Sequence, residues 1–137
     1  MIKKLIYTIL ITTCALACNN NSNQKKNPTT DIEVATAFIR SVLNNDFKNA
    51  EQYLLKDETN LGYFKSFEHH YQLKNEAELN KFKAADIIID EIKPQSDSIH
   101  LITYTNTYEN TIKNNLKLVW VNNLWLVDLK YTFAQNQ

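Results

Sequence analysis

The sequence predicts an α+β domain in which helices come first and an antiparallel sheet of four strands, or slightly more, comes second. Apolar residues recur with the 3.6-residue period of a helix from about residue 31 to residue 82. From residue 85 onward, segments rich in β-branched and aromatic residues replace that pattern. Short turns separate these segments, so consecutive strands can pair as an antiparallel meander.

The first 17 residues have the composition of an export signal. Residues 1–4 include Lys3 and Lys4, and residues 5–16 form an apolar stretch that is followed by the small residue Ala17. This stretch is too short to span a bilayer, which takes roughly 20 apolar residues. The pattern predicts a signal peptide over residues 1–17 that is removed during export.

Cys18 directly follows the predicted cleavage site, and the segment resembles the lipobox of bacterial lipoproteins. That family usually has Leu three residues before the cysteine, whereas Ala15 stands there in this sequence. The resemblance implies a lipid anchor on Cys18 that carries two or three acyl chains, palmitate among them. The ordinary secretory peptidase would cut the same bond and leave a free thiol. Residues 18–29 are polar, so we expect them to form a flexible tether.

Charge and cysteine content exclude several classes of protein. Lys3 and Lys4 leave with the signal peptide, so the mature chain has 15 − 2 = 13 basic and 15 acidic side chains. Nucleic-acid binding requires a basic patch that this balance does not supply. Cys14 also leaves, so the mature chain cannot form an internal disulfide. Asn19 is not the Asp that retains lipoproteins at the inner membrane, and the tether lacks an acidic surface-export run, which favours the outer membrane, facing the periplasm.

The domain is predicted to begin at residue 30 with an amphipathic helix. Thr30 and Glu33 have the spacing of a capping box, in which each side chain bonds to the other's backbone N–H. An apolar face over about residues 31–44 follows at helical spacing. Its members are Ala35, Phe38, Ile39 and Val42.

Two further helices are predicted before the sheet. Asp46 can cap a short second helix whose apolar residues are Phe47, Ala50 and Leu54. A third helical stretch follows a polar loop, and its pattern weakens through residues 76–82. The apolar face of that third stretch consists of Phe64, Phe67 and Tyr71.

Four strands are predicted over residues 85–92, 99–108, 116–121 and 124–131. Residues 94–97 and 110–115 provide the first two turns. Asn122 and Asn123 form a two-residue connection, and asparagine tolerates the positive φ of a type I′ hairpin turn.

The last two predicted strands are apolar on both faces, with Lys117 and Asp128 as the charged exceptions. A sheet with one solvated face should alternate apolar and polar residues. The helices can cover one face, so we expect a second copy of the sheet to cover the other. The sequence thus predicts a homodimer, with Trp120 and Val121 as candidates for its interface.

The order of elements resembles the nuclear transport factor 2-like (cystatin-like) superfamily, and more closely its bacterial lipoprotein branch of unknown function. Residues 31–55, 98–108 and 116–129 carry the resemblance, and Trp125 matches a tryptophan common in the final strand. The resemblance implies a cone-shaped fold with a curved sheet over residues 30–134, a cavity between helices and sheet, and frequent dimerisation. It assures no activity.

Candidate site residues are few. His100, Tyr104 and Tyr108 alternate along the second predicted strand, so they share one face and can line a cavity, unless they are ordinary strand tyrosines with polar tips at the rim. His69 and His70 are adjacent on a helix and diverge by ~100°, which argues against a shared metal. We expect no metal and no cofactor. The candidate general bases are Asp86, Asp90 and Asp128.

These observations predict a non-enzymatic envelope lipoprotein whose domain binds a small apolar ligand or an envelope protein. The sequence contains no glycine-rich phosphate loop and no nucleophile motif. One alternative is a small cavity enzyme of the isomerase or dehydratase type that uses Tyr104 and an aspartate. Another is an immunity or inhibitor protein that blocks a toxin or hydrolase.

Overall fold

The structure, a computed structural model, describes residues 27–134. The predicted signal peptide, Cys18 and the tether up to residue 26 lie outside the described residues. Helices come first and a sheet follows, which confirms the predicted α+β class. The elements are α1 (Asp31–Leu43), α2 (Phe47–Ala50), a 3-10 turn (Glu51–Tyr53), α3 (Glu58–Gln72), α4 (Glu76–Ala84), β1 (Ile87–Ser96), β2 (Ile99–Asn106), β3 (Asn114–Val121), β4 (Leu124–Asp128) and α5 (Leu129–Ala134).

Helix α1 begins and ends as the sequence predicts. The Thr30 hydroxyl accepts a hydrogen bond from the Glu33 backbone N–H at 3.2 Å, and the Glu33 carboxylate accepts one from the Thr30 N–H at 3.1 Å. These bonds complete the capping box. The helix ends at Leu43, and the positive φ of 58° at Asn45 prevents a right-handed helix from continuing.

The third predicted helix is two helices. Helix α3 ends at Gln72, and the Asn75 side chain then accepts a hydrogen bond from the Glu78 backbone N–H at 3.0 Å. Asparagine at this position satisfies the free N–H groups of a new helix, α4. The weaker pattern over residues 76–82 therefore marks a separate helix, and the prediction of a single third helical stretch is wrong.

The four strands form one antiparallel sheet in the order β1-β2-β3-β4, as predicted. Strand β1 is longer than expected and includes Pro94, which the sequence places in a turn. Proline is tolerated here because β1 is an edge strand with register shifts before Glu91 and before Ser96. The actual turn is Asp97-Ser98.

The predicted final strand over residues 124–131 ends at Asp128, and the chain then forms α5. Two hydrogen bonds start this helix: the Leu129 N–H donates to the Asn60 side-chain oxygen at 2.8 Å, and the Lys130 N–H donates to Asp128 at 3.2 Å. Phe133 of α5 stacks on Tyr63 of α3 with ring centroids 4.9 Å apart. Contacts with α3 therefore override the strand-like composition of residues 129–133.

The core lies between the helices and the face of the sheet that they cover, here called the inner face. Strand pairing places Ile102 opposite Leu116 and Leu118 opposite Val127, and all four are buried. Helix α1 lies across this face, and an aromatic group from α2, α3 and α4 completes the core. That group consists of Phe47, Phe64, Phe67, Tyr71 and Phe82. Within residues 27–134, no helix combines the length and the apolar character needed to cross a membrane.

The β3–β4 hairpin turns at Asn122 and Asn123, whose φ angles of 50° and 63° are those of the predicted turn. Trp120 pairs with Trp125, and Val121 pairs with Leu124. Because successive strand residues point to opposite faces, Trp120 lies on the inner face with Trp125, and Val121 lies on the outer face. The two residues therefore lie on opposite faces of the sheet, and their place in a dimer interface stays a prediction.

Candidate functional site

A cavity of about 200 Å³ opens between the C-terminal end of α1, helices α3 and α4, and the end of β2. Its wall is half apolar and half polar. The apolar side chains are Ile39, Val42, Leu43, Phe67 and Phe82, and the groups with polar atoms are His70, Tyr71, Lys74, Tyr104, Asn106, Glu109 and Asn114.

Tyr104 contributes a phenol to this wall. It lies on the inner face of β2, between Ile89 of β1 and Asn114 of β3. Burial raises the pKa of Tyr104 to about 12, and the nearby negative charge of Glu109 adds to the shift. The phenol therefore stays neutral at physiological pH and offers both a donor and an acceptor to a ligand.

Tyr71 and Lys74 form the opposite side of the cavity. Burial raises the pKa of Tyr71, with a smaller contribution from the charges of Glu109 and Glu78. The Lys74 ammonium is 5.0 Å from the centroid of Phe82 and 5.8 Å from that of Tyr71, and it pairs with Glu78 at 2.8 Å. These contacts hold a positive charge beside an aromatic wall.

Glu109 is the carboxylate of the cavity, and the sequence did not indicate it. The Asn106 side-chain oxygen accepts hydrogen bonds from the backbone N–H groups of Tyr108 and Glu109, at 3.0 and 2.8 Å. This turn ends β2 and directs the chain back along the cavity. The available signal was the Asn-x-x-Glu spacing directly after a strand, which is common in turns and not specific to binding sites.

The three residues predicted to line a cavity lie in different places. Tyr104 is in the wall. His100 is at the other end of β2, where its Nδ1 is 2.6 Å from the Asp31 carboxylate and its ring is 4.5 Å from Trp125. Tyr108 lies beyond the end of β2, so strand alternation no longer applies to it, and its ring packs edge-on against Phe82 at 4.9 Å.

The candidate general bases lie outside the cavity wall. Asp86 and Asp90 are exposed at the start of β1 and beside its first register shift. Asp128 is buried and lies 3.3 Å from the Lys117 ammonium and 3.6 Å from that of Lys130. These two contacts make Asp128 a structural ion-pair partner. Across residues 27–134, no group of His, Cys, Asp and Glu side chains could hold a metal ion.

A second depression, of about 610 Å³, lies on the outside of α1 where the helix meets the start of β1. Ile32, Ala37 and Ile87 supply its apolar surface, and Arg40 and Asp86 are at its margin. It is a shallow groove rather than an enclosed site. We therefore place the candidate site in the smaller cavity, whose wall brings several polar groups together with apolar side chains.

Fold and cavity together define a helix-on-sheet α+β domain with a small amphipathic cavity. No protein-family model matches the chain, and no curated protein matches it. Among solved structures, the chain is similar to an NTF-2-like protein of unknown function from Shewanella oneidensis MR-1. The match has 11% sequence identity and a TM-score of 0.47, and it covers 70% of this chain and 89% of that one.

Proposed function

We propose that the domain binds a small, partly apolar molecule in the Tyr104 cavity and does no chemistry on it. The observation that carries this proposal is a half-buried, neutral tyrosine in a wall that is half apolar, beside one cation, Lys74, and one carboxylate, Glu109. Small-molecule sites combine these two kinds of surface: apolar side chains supply affinity, and polar groups fix the orientation of the ligand.

The cavity volume limits the size of the ligand. About 200 Å³ corresponds to roughly seven groups the size of a water molecule, at about 30 Å³ each. This is below the roughly 300–1,000 Å³ typical of sites for drug-sized molecules. The ligand would therefore be a single small ring or a short branched chain with one polar end.

Native mass spectrometry tests ligand binding directly. We expect gently purified protein to carry an additional mass that is lost on denaturation. Tyr104→Trp, which fills the cavity, should abolish that mass, whereas the matched control Tyr63→Phe should retain it because Tyr63 stacks on Phe133 outside the wall. An additional mass that survives Tyr104→Trp would place the ligand elsewhere.

We also propose that Cys18 carries a lipid that anchors the domain in the bacterial envelope, at the periplasmic face of the outer membrane. The support is the lipobox-like sequence before Cys18 and the polar segment after it. Two or three acyl chains give stable anchoring where one would not. The anchor would restrict the ligands of the cavity to molecules that reach the envelope.

Metabolic labelling with an alkyne fatty acid tests the anchor. The wild-type chain should become labelled and partition with membranes, and Cys18→Ala should do neither. Cys14→Ala is the matched control, because Cys14 belongs to the predicted signal peptide, and this variant should remain labelled. An unlabelled wild type with a free Cys18 thiol would show ordinary secretion instead.

A cavity enzyme is the second candidate, and one observation favours it. Glu109 and Tyr104 line the same cavity, so a carboxylate and a neutral phenol are available as base and hydrogen-bond donor. An NMR titration of the Glu109 carboxyl distinguishes the candidates. A pKa near neutrality would support proton transfer, whereas ordinary ionisation together with ligand retention in Glu109→Gln would support binding alone.

A further inference from the structure

The tip of the β3–β4 hairpin is exposed and apolar. This tip, residues 120–125, has Trp120 40% exposed and Leu124 59% exposed. Trp120 and Trp125 contribute the inner face of the tip, and Val121 and Leu124 contribute the outer face. No charged residue occurs between Lys117 and Asp128. The tip is therefore uncharged on both faces, unlike a surface that is adapted only to water.

Its polar groups are those that suit a membrane interface. The turn residues Asn122 and Asn123 are neutral amides, and each tryptophan has a large apolar ring with one N–H donor. The Trp120 and Trp125 rings pack together with centroids 5.3 Å apart. Tryptophan is enriched at membrane–water interfaces because its ring prefers apolar surroundings while its N–H remains hydrated.

The described chain begins beside this tip. Asn27 and Pro28 share a depression with Leu124, Trp125 and Leu126. Residues 18–26 number nine and can span at most about 32 Å when fully extended. A lipid on Cys18 would therefore hold the bilayer within that distance of the hairpin tip, on the side of the domain where the exposed tryptophan lies.

We propose that the hairpin tip is a second membrane contact, which inserts Trp120 and Leu124 into the interface of a phospholipid bilayer and fixes the orientation of the anchored domain. The inference rests on the envelope anchor proposed above for the nearness of the bilayer. Tethering keeps the tip at a high local concentration beside the lipid, so even a weak apolar contact is populated. The hairpin tip lies near the Ile99 end of β2, and the Tyr104 cavity lies near the opposite end. The cavity then faces away from the membrane.

Tryptophan fluorescence on vesicles tests this contact, because Trp120 and Trp125 are the only tryptophans in the chain. The chain from Cys18 onward, which contains the whole described fold, is coupled through its single thiol to a maleimide phospholipid in phosphatidylethanolamine–phosphatidylglycerol vesicles. Brominated lipids, which quench only tryptophans that reach the bilayer, should reduce emission by about twofold when bromine is near the headgroups. Unchanged emission would overturn the proposal.

A matched pair of variants locates the contact. Leu124→Asp places a charge at the tip and should abolish quenching by brominated lipid. Leu73→Asp changes a residue that is 72% exposed, next to Lys74 of the cavity, and should leave the quenching unchanged. Circular dichroism verifies that both variants are folded. Equal quenching in wild type and Leu124→Asp would overturn the proposal.

Two further outcomes are distinguishable. If the tryptophans are shielded from acrylamide without lipid and the protein has twice the monomer mass, a second copy covers the tip and the proposal is wrong. Coupling through maleimide bypasses lipidation in the cell. A failed quenching experiment therefore leaves the Cys18 anchor standing, and the labelling of Cys18→Ala tests that anchor separately.

Discussion

Asn60 is a fully buried polar residue that joins the two halves of the chain. Its backbone N–H and its side-chain amide both donate to the Asp57 carboxylate at 2.9 Å, and its side-chain oxygen accepts from the Leu129 N–H at 2.8 Å. Asp57 in turn pairs with the Lys130 ammonium, which lowers the pKa of Asp57 and raises that of Lys130. One buried amide thus aligns the start of α3 with the start of α5.

Replacing Asn60 with Ala should lower the free energy of unfolding by about 2–3 kcal/mol, because the variant leaves the Leu129 N–H buried without a partner. Urea denaturation measures the change. Asn80→Ala, at an exposed position of α4, is the control and should shift the free energy by less than about 0.5 kcal/mol. Similar values for the two variants would contradict the structural role of Asn60.

Tyr104 should make the stability depend on pH in the alkaline range. Its pKa is near 10 in the unfolded chain and about 12 in the fold, because burial disfavours the phenolate. The folded state therefore binds the proton more tightly. This stabilisation is complete below pH 10 and is lost as the pH rises from 10 to 12.

Urea denaturation at several alkaline pH values measures the loss. Tyr104→Phe has no ionisable group at this position, so its free energy of unfolding should fall less steeply with rising pH. Tyr71, whose pKa is also raised, still contributes to the pH dependence in this variant. An equally steep decline in wild type and Tyr104→Phe would show that Tyr104 ionises normally in the fold.

Sequence patterns located Tyr104 but not its partners in the cavity. Alternation along a strand assigns a face, which is why the inward position of Tyr104 was predictable. It does not show where the strand ends, and Tyr108 lies beyond that end. Glu109 lies in the turn after β2, and Lys74 lies just after the C-terminal end of α3. The positions of both segments relative to the cavity depend on tertiary packing.

Among the elements, the hairpin turn is the one that the sequence determined most directly. Asn122→Val should lower the free energy of unfolding by about 1–2 kcal/mol, since a β-branched residue at a φ of 50° clashes with the backbone. Thermal unfolding measures the loss. Asn123→Gly, which completes the preferred Asn-Gly turn, should keep or raise the melting temperature. An Asn122→Val variant with the stability of the wild type would contradict the turn geometry.

Other boundaries were beyond local reasoning because distant residues decide them. Residues 129–133 have strand-like composition, yet Asn60 and the ring of Tyr63 hold them in a helix. Pro94 signals a turn in most sequences, and it is compatible with β1 only because nothing pairs with the free edge of that strand within the described residues. Local patterns predicted which elements exist better than where they end.

At the scale of the whole molecule, the outer face of the sheet bears on assembly. Ile99, Leu101, Val119 and Leu126 are half-buried there, so this face has an apolar centre. We propose that two copies pack through this centre. A second sheet is the natural cover for an apolar sheet face.

Val119→Asp should convert a dimer into a monomer, because it buries an unpaired charge in the interface. Sedimentation equilibrium measures the mass. Ile112→Asp, at an exposed position between β2 and β3, is the control and should keep the wild-type mass. A wild type that is already monomeric would exclude the dimer.

The bond between Asn60 and Leu129 spans 69 positions of the chain, and Leu55 likewise donates to Val127 of the last strand at 2.9 Å. During synthesis the helices emerge first, but the strands that cover their apolar faces emerge last. Long-range pairing of this kind delays folding, because loop closure precedes any gain from contacts. The core between helices and sheet therefore cannot close before β4 and the start of α5 have been synthesised, so the helices stay without their cover through the synthesis of the strands.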